Sequence, residues 1–220
     1  MKLKKFIFNE LKVNSYLLWD EAGNCVLIDP GCHNAEEQKE LSGFINSRGL
    51  IPRGLLHTHG HIDHMAGSGY IRKTYEVSSW IHEEEEMDPD TIASTARIYG
   101  MNLEKKDVMA HKVFRGQQRF TFDGVCLEVI HTPGHTKGSV CFYEPTHHWL
   151  FTGDTLTKGS LCFSDEGYGR LLNCLNREII TLPEDTQFFF GHGPDSSMKE
   201  EMASNPFFRR MKNKQGTQQS

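Results

Sequence analysis

Three imidazoles and a carboxylate crowd into Thr58-His59-Gly60-His61-Ile62-Asp63-His64, an H-x-H-x-D-H pattern. Buried together with no counter-ion, such groups would repel or desolvate one another. A divalent cation removes both costs, because neutral imidazole and carboxylate ligate zinc at about 2.0–2.2 Å. Alternate residues of one loop can face different ions, so a single segment can serve two. The plainer alternative is a solvated polar loop or a chance histidine cluster. Three more metal-competent side chains weigh against it: His135 in Thr132-Pro133-Gly134-His135, Asp154 in Gly153-Asp154-Thr155 and His192 in Gly191-His192-Gly193. Each stands at a strand end beside glycine, which lets backbones approach closely. Alone, each reads as a turn residue; the joint pattern carries the specificity.

Such residues need strands that end in loops. Val13–Trp19 and Cys25–Ile28 read as strands around the turn Glu21-Ala22-Gly23-Asn24, and Asp29-Pro30-Gly31 stops the second. Leu41, Phe44 and Ile45 predict a helix over 34–47, closed by Gly49 and Pro52. Residues 54–57 form a short apolar strand running into the histidine-rich loop, and 63–73 a helix capped by Asp63. A strand over 77–81 and a helix over 90–100 follow, around a Glu83–Glu86 run that reads as a solvated face. Strands 119–122 and 125–130 are joined by Asp123-Gly124, a strong hairpin turn. Strands 139–143 and 148–152, a helix over 171–181, a buried strand over 187–190 and one or two closing helices over 195–212 complete the pattern. Strands and helices alternate in two similar halves, an α/β arrangement with two sheets between outer helices. No linker divides the chain, so one domain over 1–211 is expected, with 212–220 a disordered tail.

At 220 residues the chain suits one domain that buries roughly 70% of its unfolded surface. Hydrophobic content of 37% with 24% charged residues excludes global disorder and fibrous classes. A formal charge of −5 argues against a general nucleic-acid or anionic-membrane surface. The six cysteines, at 25, 32, 126, 141, 162 and 174, contain no C-x-x-C pair and read as small buried apolar groups in a reducing compartment. Asn9, Glu10 and Lys12 interrupt the N-terminal apolar run, so no signal peptide or membrane span is expected and the cytoplasm is the expected location.

H-x-H-x-D-H followed in order by T-P-G-H, G-D-T and G-H-G resembles the metallo-β-lactamase superfamily, most closely its glyoxalase II-like hydrolases. Ile28-Asp29-Pro30-Gly31, Thr136-Lys137-Gly138-Ser139 and Gly153-Asp154-Thr155-Leu156 are similar to that group too, and the likeness spans about residues 10–200. It implies an αββα sandwich of two mixed sheets flanked by helices, with two divalent metal ions at the sheet edge. Zinc is the first choice, with iron and manganese equally suited to nitrogen and oxygen ligands. It further implies that His59, His61 and His135 hold one ion, that Asp63, His64 and His192 hold the other, and that Asp154 bridges them. Asp29 would steady the histidine loop by hydrogen bonding, or else be a plain turn carboxylate. His33, His57, His82, His111, His131, His147 and His148 receive no metal role.

Two ions about 3.5–4 Å apart lower the pKa of a bridging water and supply hydroxide near neutral pH. Asp63, as ligand and orienter of the nucleophile, and Asp154, fixing the metal–metal distance, are the expected catalytic carboxylates; no G-x-S-x-G serine elbow is present. The expected reaction is hydrolysis of an ester-like bond, a thioester first, in a small-molecule substrate for which an anionic tail is one option. Little chain follows His192, so the added helical domain with which glyoxalase II grips glutathione is expected to be missing or differently built. Gly159-Ser160-Leu161-Cys162-Phe163 departs from the Gly-Ser and Gly-Arg of related short enzymes, which makes Cys162 and Phe163 either pocket or core residues. Lys137, Lys158 and Tyr168 either meet an anionic substrate or merely solvate the surface. Rival readings are a mononuclear-iron persulfide dioxygenase, a lactone or other ester hydrolase and a phosphodiesterase. A β-lactamase is disfavoured by Asp154 at the bridging position.

Overall fold

The computed structural model describes residues 1–85, 89–108, 112–164 and 167–217. Its first sheet holds β1 (Lys2–Phe8), β2 (Val13–Trp19), β3 (Asn24–Ile28), β4 (Ile51–Leu56), β5 (Ser79–His82) and β6 (Lys112–Phe114), in that spatial order. β1 to β3 pair antiparallel, and β3 to β6 pair parallel. The second sheet runs β7 (Arg119–Phe122), β8 (Val125–His131), β9 (Val140–Glu144), β10 (Trp149–Gly153), then β13 (Gln187–Phe190) and β14 (Ser196–Ser197). β10 and β13 are its one parallel pair. A small hairpin, β11 (Leu156–Thr157) with β12 (Ser160–Leu161), stands apart.

The sheets face each other. Tyr16, Leu18, Val26 and Leu56 of the first meet Leu127, Val129, Phe142 and Phe151 of the second in one buried cluster. Helices α1 (Ala35–Ser47) and α3 (Ser68–Tyr75) cover the outer face of the first sheet, where Leu41, Ile45 and Ile71 pack on Phe6, Leu17 and Leu27. α6 (Tyr168–Cys174), its π-helical continuation Leu175–Ile179, α7 (Met198–Ser204) and α8 (Pro206–Thr217) cover the second. α2 (Ile62–Met65), α4 (Pro89–Ile98) and α5 (Lys105–Val108) join in a fourth cluster around Met65, Ile92, Ala96 and Val108. The expected αββα sandwich is what the chain forms. Sheets covered on both faces explain why β3 reads from Cys25 to Ile28 as a continuous apolar run rather than an alternating one.

Strand direction gathers the site. β8, β10 and β13 run the same way, so the residues after them emerge at one edge. In the first sheet, β3 and β4 are likewise parallel, and β2, antiparallel to β3, begins where they end.

Three local expectations need correction. The helix expected over 63–73 is broken into α2 and α3, and its N-cap is His61, not Asp63. At the break the Gly67 N–H leaves the helical ladder and donates to the Pro30 carbonyl at 2.7 Å, a close packing that needs glycine, since a Cβ there would stand 2.5 Å from Cys32 Sγ. Between the helix expected over 90–100 and the strand over 119–122, where no element was expected, stand α5 and the edge strand β6. The closing helix runs to Thr217, into the stretch expected to be a tail, and 218–220 lie outside the described residues. Among the described residues no helix is long and apolar enough to cross a membrane.

Candidate metal centre

Asp29 ends β3 in the left-handed region, with φ of 50°, which turns its carboxylate onto the neighbouring β4 end. It accepts the Thr58 N–H at 2.8 Å and the Thr58 hydroxyl at 2.6 Å, and lies 2.9 Å from His64 Nδ1. Thr58 Oγ1 is in turn 3.0 Å from His59 Nδ1. One proton assignment satisfies the whole chain: both imidazoles carry hydrogen on Nδ1, and both present a bare Nε2 to the interior. Of the two readings open for Asp29, the structure supports the orienting one.

The ligating atoms of His59, His61, His135 and Asp154 lie within 4.8 Å of one another, as do those of Asp63, His64 and His192. Asp154 stands between the two groups. Its Oδ1 is 3.4 Å from His64 Nε2, and its Oδ2 is 3.7 Å from both His135 Nε2 and His192 Nε2. Asp63 Oδ2 is 3.0 Å from His192 Nε2 and 3.6 Å from His64 Nε2. His59 Nε2, His64 Nε2 and Asp154 Oδ1 are buried with no hydrogen-bond partner. Buried polar atoms left in this state are rare and costly, and divalent cations satisfy all three. The donor set, neutral imidazole and carboxylate, fits such ions.

Charge divides the cluster. Burial, reinforced by the surrounding imidazoles, pushes His59 and His61 down and His135 down to about 4. Burial also opposes charge on His64, but Asp154 and Asp29 outweigh it and hold this imidazole well above its ordinary value. His192 is raised too, its burial offset by the bond to Asp63 and the field of Asp154. Burial opposes ionisation of Asp154, yet His64, His192 and His135 hold its carboxyl well below the usual carboxylate range.

Close approach explains the glycines of two motifs. A Cβ on Gly191 would stand 2.1 Å from Asp154 Oδ1 and 2.6 Å from His64 Cε1. Gly153 has φ of 50°, and a Cβ there would stand 2.2 Å from Thr58 Oγ1.

Several positioning residues escaped the sequence reading. β2 carries Asn14, Ser15 and Tyr16 as buried polar side chains in an apolar strand, a signal that was there to be read. Asn14 donates to the carbonyls of Phe190 and Gly193, both at 2.9 Å, and its own N–H to Gly191 at 2.7 Å; Val13 bridges His192. The Tyr16 hydroxyl donates to Phe190 at 2.6 Å, and Ser15 links the Asp29 carbonyl to the Gly31 N–H. The cavity over the cluster, about 480 Å³, is walled by Leu11, by Thr91, Ile92 and Thr95 of α4, a helix given no functional reading, and by Tyr99 just after it.

Other candidates fall elsewhere. Lys158 pairs with Glu200 at 3.1 Å and donates to the Asp195 carbonyl. Tyr168 packs on Phe163 and Phe207 beside α8, outside the lining of the cavity over the cluster. The Lys137 carbonyl lies 2.9 Å from His131 Nε2. Burial, with Asp154 adding to it, pushes the Cys162 thiol up. His82, Glu84 and His131 also cluster. The two rings stack at 4.2 Å and 22°, however, so their in-plane lone pairs run parallel instead of converging, and His82 Nδ1 already accepts the Glu84 N–H. His57 is buried beside Ser68 and pushed down to about 4 by burial. His33, His147 and His148 pair with Glu10, Glu144 and Asp185, and His111 lies outside the described residues.

Residues 9–192 match the Metallo-beta-lactamase superfamily. The chain belongs to that superfamily. It is 29% identical over 200 residues to the hydroxyacylglutathione hydrolase GloC of Haemophilus influenzae, covering 88% of this chain and 92% of that one. Among solved structures, the BLEG-1 B3 metallo-beta-lactamase superposes with a TM-score of 0.83 at 29% identity, covering 94% of this chain and 99% of its own. A second, TTHA1623 in a di-iron-bound form, gives 0.77 at 29% identity over 93% of this chain and 99% of its own. One of these relatives is named as a hydroxyacylglutathione hydrolase and another as a metallo-beta-lactamase, so the shared fold does not separate β-lactam from thioester cleavage.

Proposed function

We propose that this protein is a binuclear metal-dependent hydrolase acting first on thioesters of small acyl groups. The observation that carries the reading is Asp154, whose two oxygens face both ligand groups at 3.4–3.7 Å. His59, His61 and His135 would hold one ion, Asp63, His64 and His192 the other, with Asp154 shared between them. A zinc pair is the first choice and iron the second, the latter supported by the di-iron form of a structural neighbour. When bound, the pair would activate water near neutral pH and polarise the scissile carbonyl.

The chain's own groups do the rest. Asp29 and Thr58 fix the imidazoles of His59 and His64 so that each Nε2 faces inward. Asp63 orients the attacking water through the oxygen not engaged by His192. Leu11, Ile92 and Tyr99 wall the cavity against bulk water, and Thr91 and Thr95 offer hydroxyls to a polar acyl chain. The resemblance to GloC favours a thioester. No lysine or arginine is among the described residues lining this cavity, so recognition rests on the acyl part more than on an anionic tail. A cytoplasmic small-molecule enzyme, serving neither nucleic acid nor membrane, belongs to the same reading.

The test is a substrate panel on metal-analysed protein: S-lactoylglutathione, a simple acyl thioester, a lactone, a β-lactam, a phosphodiester, and a persulfide with oxygen uptake recorded. Thioester cleavage should show the highest kcat/KM and fall about 10³-fold in Asp154→Asn, about 4 kcal/mol of transition-state stabilisation. Preferred β-lactam cleavage, or persulfide-dependent oxygen uptake with thioesters untouched, would overturn the reading.

A further inference from the structure

The glutamate run after β5 is not uniform. Glu83 turns outward to Arg115 at 2.5 Å, and Glu84 reaches toward His131 at 3.9 Å. Glu85 turns inward, and its carboxylate meets donors from two separate loops. Oε2 accepts the Gly60 N–H at 2.8 Å, Oε1 accepts the Thr136 hydroxyl, and the Gly138 N–H is a further donor.

The positions of those donors matter. Gly60 lies between His59 and His61, and Thr136 directly follows His135. One carboxylate thus ties together two loops, one after a strand of each sheet, that carry the three imidazoles of one ligand group. The Thr136 loop is closed on itself by Ser139, whose Oγ accepts the Thr136 N–H at 3.0 Å. Gly138 permits the approach, since a Cβ there would stand 2.6 Å from the Glu85 nitrogen. The turn bearing Glu85 is anchored in its turn: its N–H donates to the His82 carbonyl at 3.1 Å and the Glu83 N–H to Phe114 at 2.9 Å. His61 Nδ1 and His135 Nε2 stand 3.0 Å apart, whereas two nitrogens on one tetrahedral zinc stand about 3.3 Å apart. Small shifts of either loop therefore decide whether an ion fits.

We propose that Glu85 is a positioning residue for the ion of His59, His61 and His135, a clamp holding two loops at ligating separation. Without it, that ion is weakened and its neighbour is kept. The inference rests on the seven-residue centre and not on the choice of substrate, so an inactive thioesterase assay with site-selective ion loss would count against the proposed function alone.

The experiment compares wild type with Glu85→Gln, which keeps the size but turns an NH2 group toward one of the donors. Zinc per chain and zinc affinities are measured by competition with a chelator, and the cobalt(II)-substituted protein reports each site by its visible spectrum. Wild type should bind two ions. The variant, folded by circular dichroism, should keep one at wild-type affinity and bind the other about 10–100-fold more weakly. Two ions at wild-type affinity, or equal weakening of both, would overturn the proposal. Should Glu85→Gln not fold, Thr136→Val removes one donor only and should weaken the same ion; unchanged binding there overturns the clamp.

Discussion

His64 and His135 belong to one cluster, yet their surroundings treat charge on them in opposite ways. His64 is fully buried with Asp29 on Nδ1 and Asp154 facing Nε2, and both carboxylates favour its protonated form. His135 faces His61 at 3.0 Å, and burial and imidazole neighbours disfavour its charge. The half of the centre around His64 and His192 can therefore balance its charges with protons when no ion is bound. The half around His59, His61 and His135 gathers rings that burial and their imidazole neighbours keep neutral, with Asp154 shared from the other half. One half is braced by carboxylates that its imidazoles can neutralise with protons, and the other would draw its positive charge from a cation.

The largest expected effect tests the brace. Asp29→Ala leaves the His64 ring and both Thr58 donors without their buried acceptor. It should lower the unfolding free energy of chelator-stripped protein by about 3–5 kcal/mol, read by urea titration. A loss below about 1 kcal/mol would show that the braced half does not owe its order to Asp29.

Next comes the pH response of stripped protein. The folded-state value of His135, about 4, lies below its unfolded value of about 6.5. As pH falls through that window the unfolded chain takes up the proton first, so stability present above pH 6.5 is lost toward pH 4, by up to about 3 kcal/mol. His64, being raised, has the reverse sign: its stabilisation is present below the unfolded value and is lost as pH rises through the folded one. His135→Ala should thus flatten the decline in urea midpoint between pH 6.5 and 4.5. Equal slopes in the two proteins would erase the contrast between the halves.

The smallest effect concerns the backbone around His192. Asn14→Ala removes the donors that hold the Phe190 and Gly193 carbonyls. A cost of about 1–2 kcal/mol is expected, together with weaker zinc binding on the His192 side only. Weakening on the His135 side instead would assign Asn14 to the wrong half.

The candidate ligands were legible because their chemistry is local. A strand end, a glycine and one metal-competent side chain recur at His135, Asp154 and His192, and H-x-H-x-D-H needs no partner to be conspicuous. The alternation of strands and helices was legible for the same reason. What stayed hidden is what depends on direction in space. Glu83, Glu84 and Glu85 are identical in a sequence, and only the packing of Gly138 against their backbone shows which one turns inward. β6 stayed hidden because an edge strand of three residues with exposed Lys112 and Val113 carries no period. α4 could be drawn as a helix, but nothing in its composition says that it roofs a cavity. The break at Gly67 depends on the Pro30 carbonyl, far away in the chain.

The link between Asn14 and Gly193 joins positions 179 apart in the chain. Contacts of such separation form late, because their loop-closure entropy precedes any reward. The H-x-H-x-D-H loop, by contrast, leaves the ribosome on the order of ten seconds before His192 does at ordinary synthesis rates. During that interval four of the candidate ligands are exposed without the complete second sheet whose loops carry His135, Asp154 and His192. Tight metal capture would thus wait for the chain to close on its own beginning, and ions held there would report that both sheets have docked.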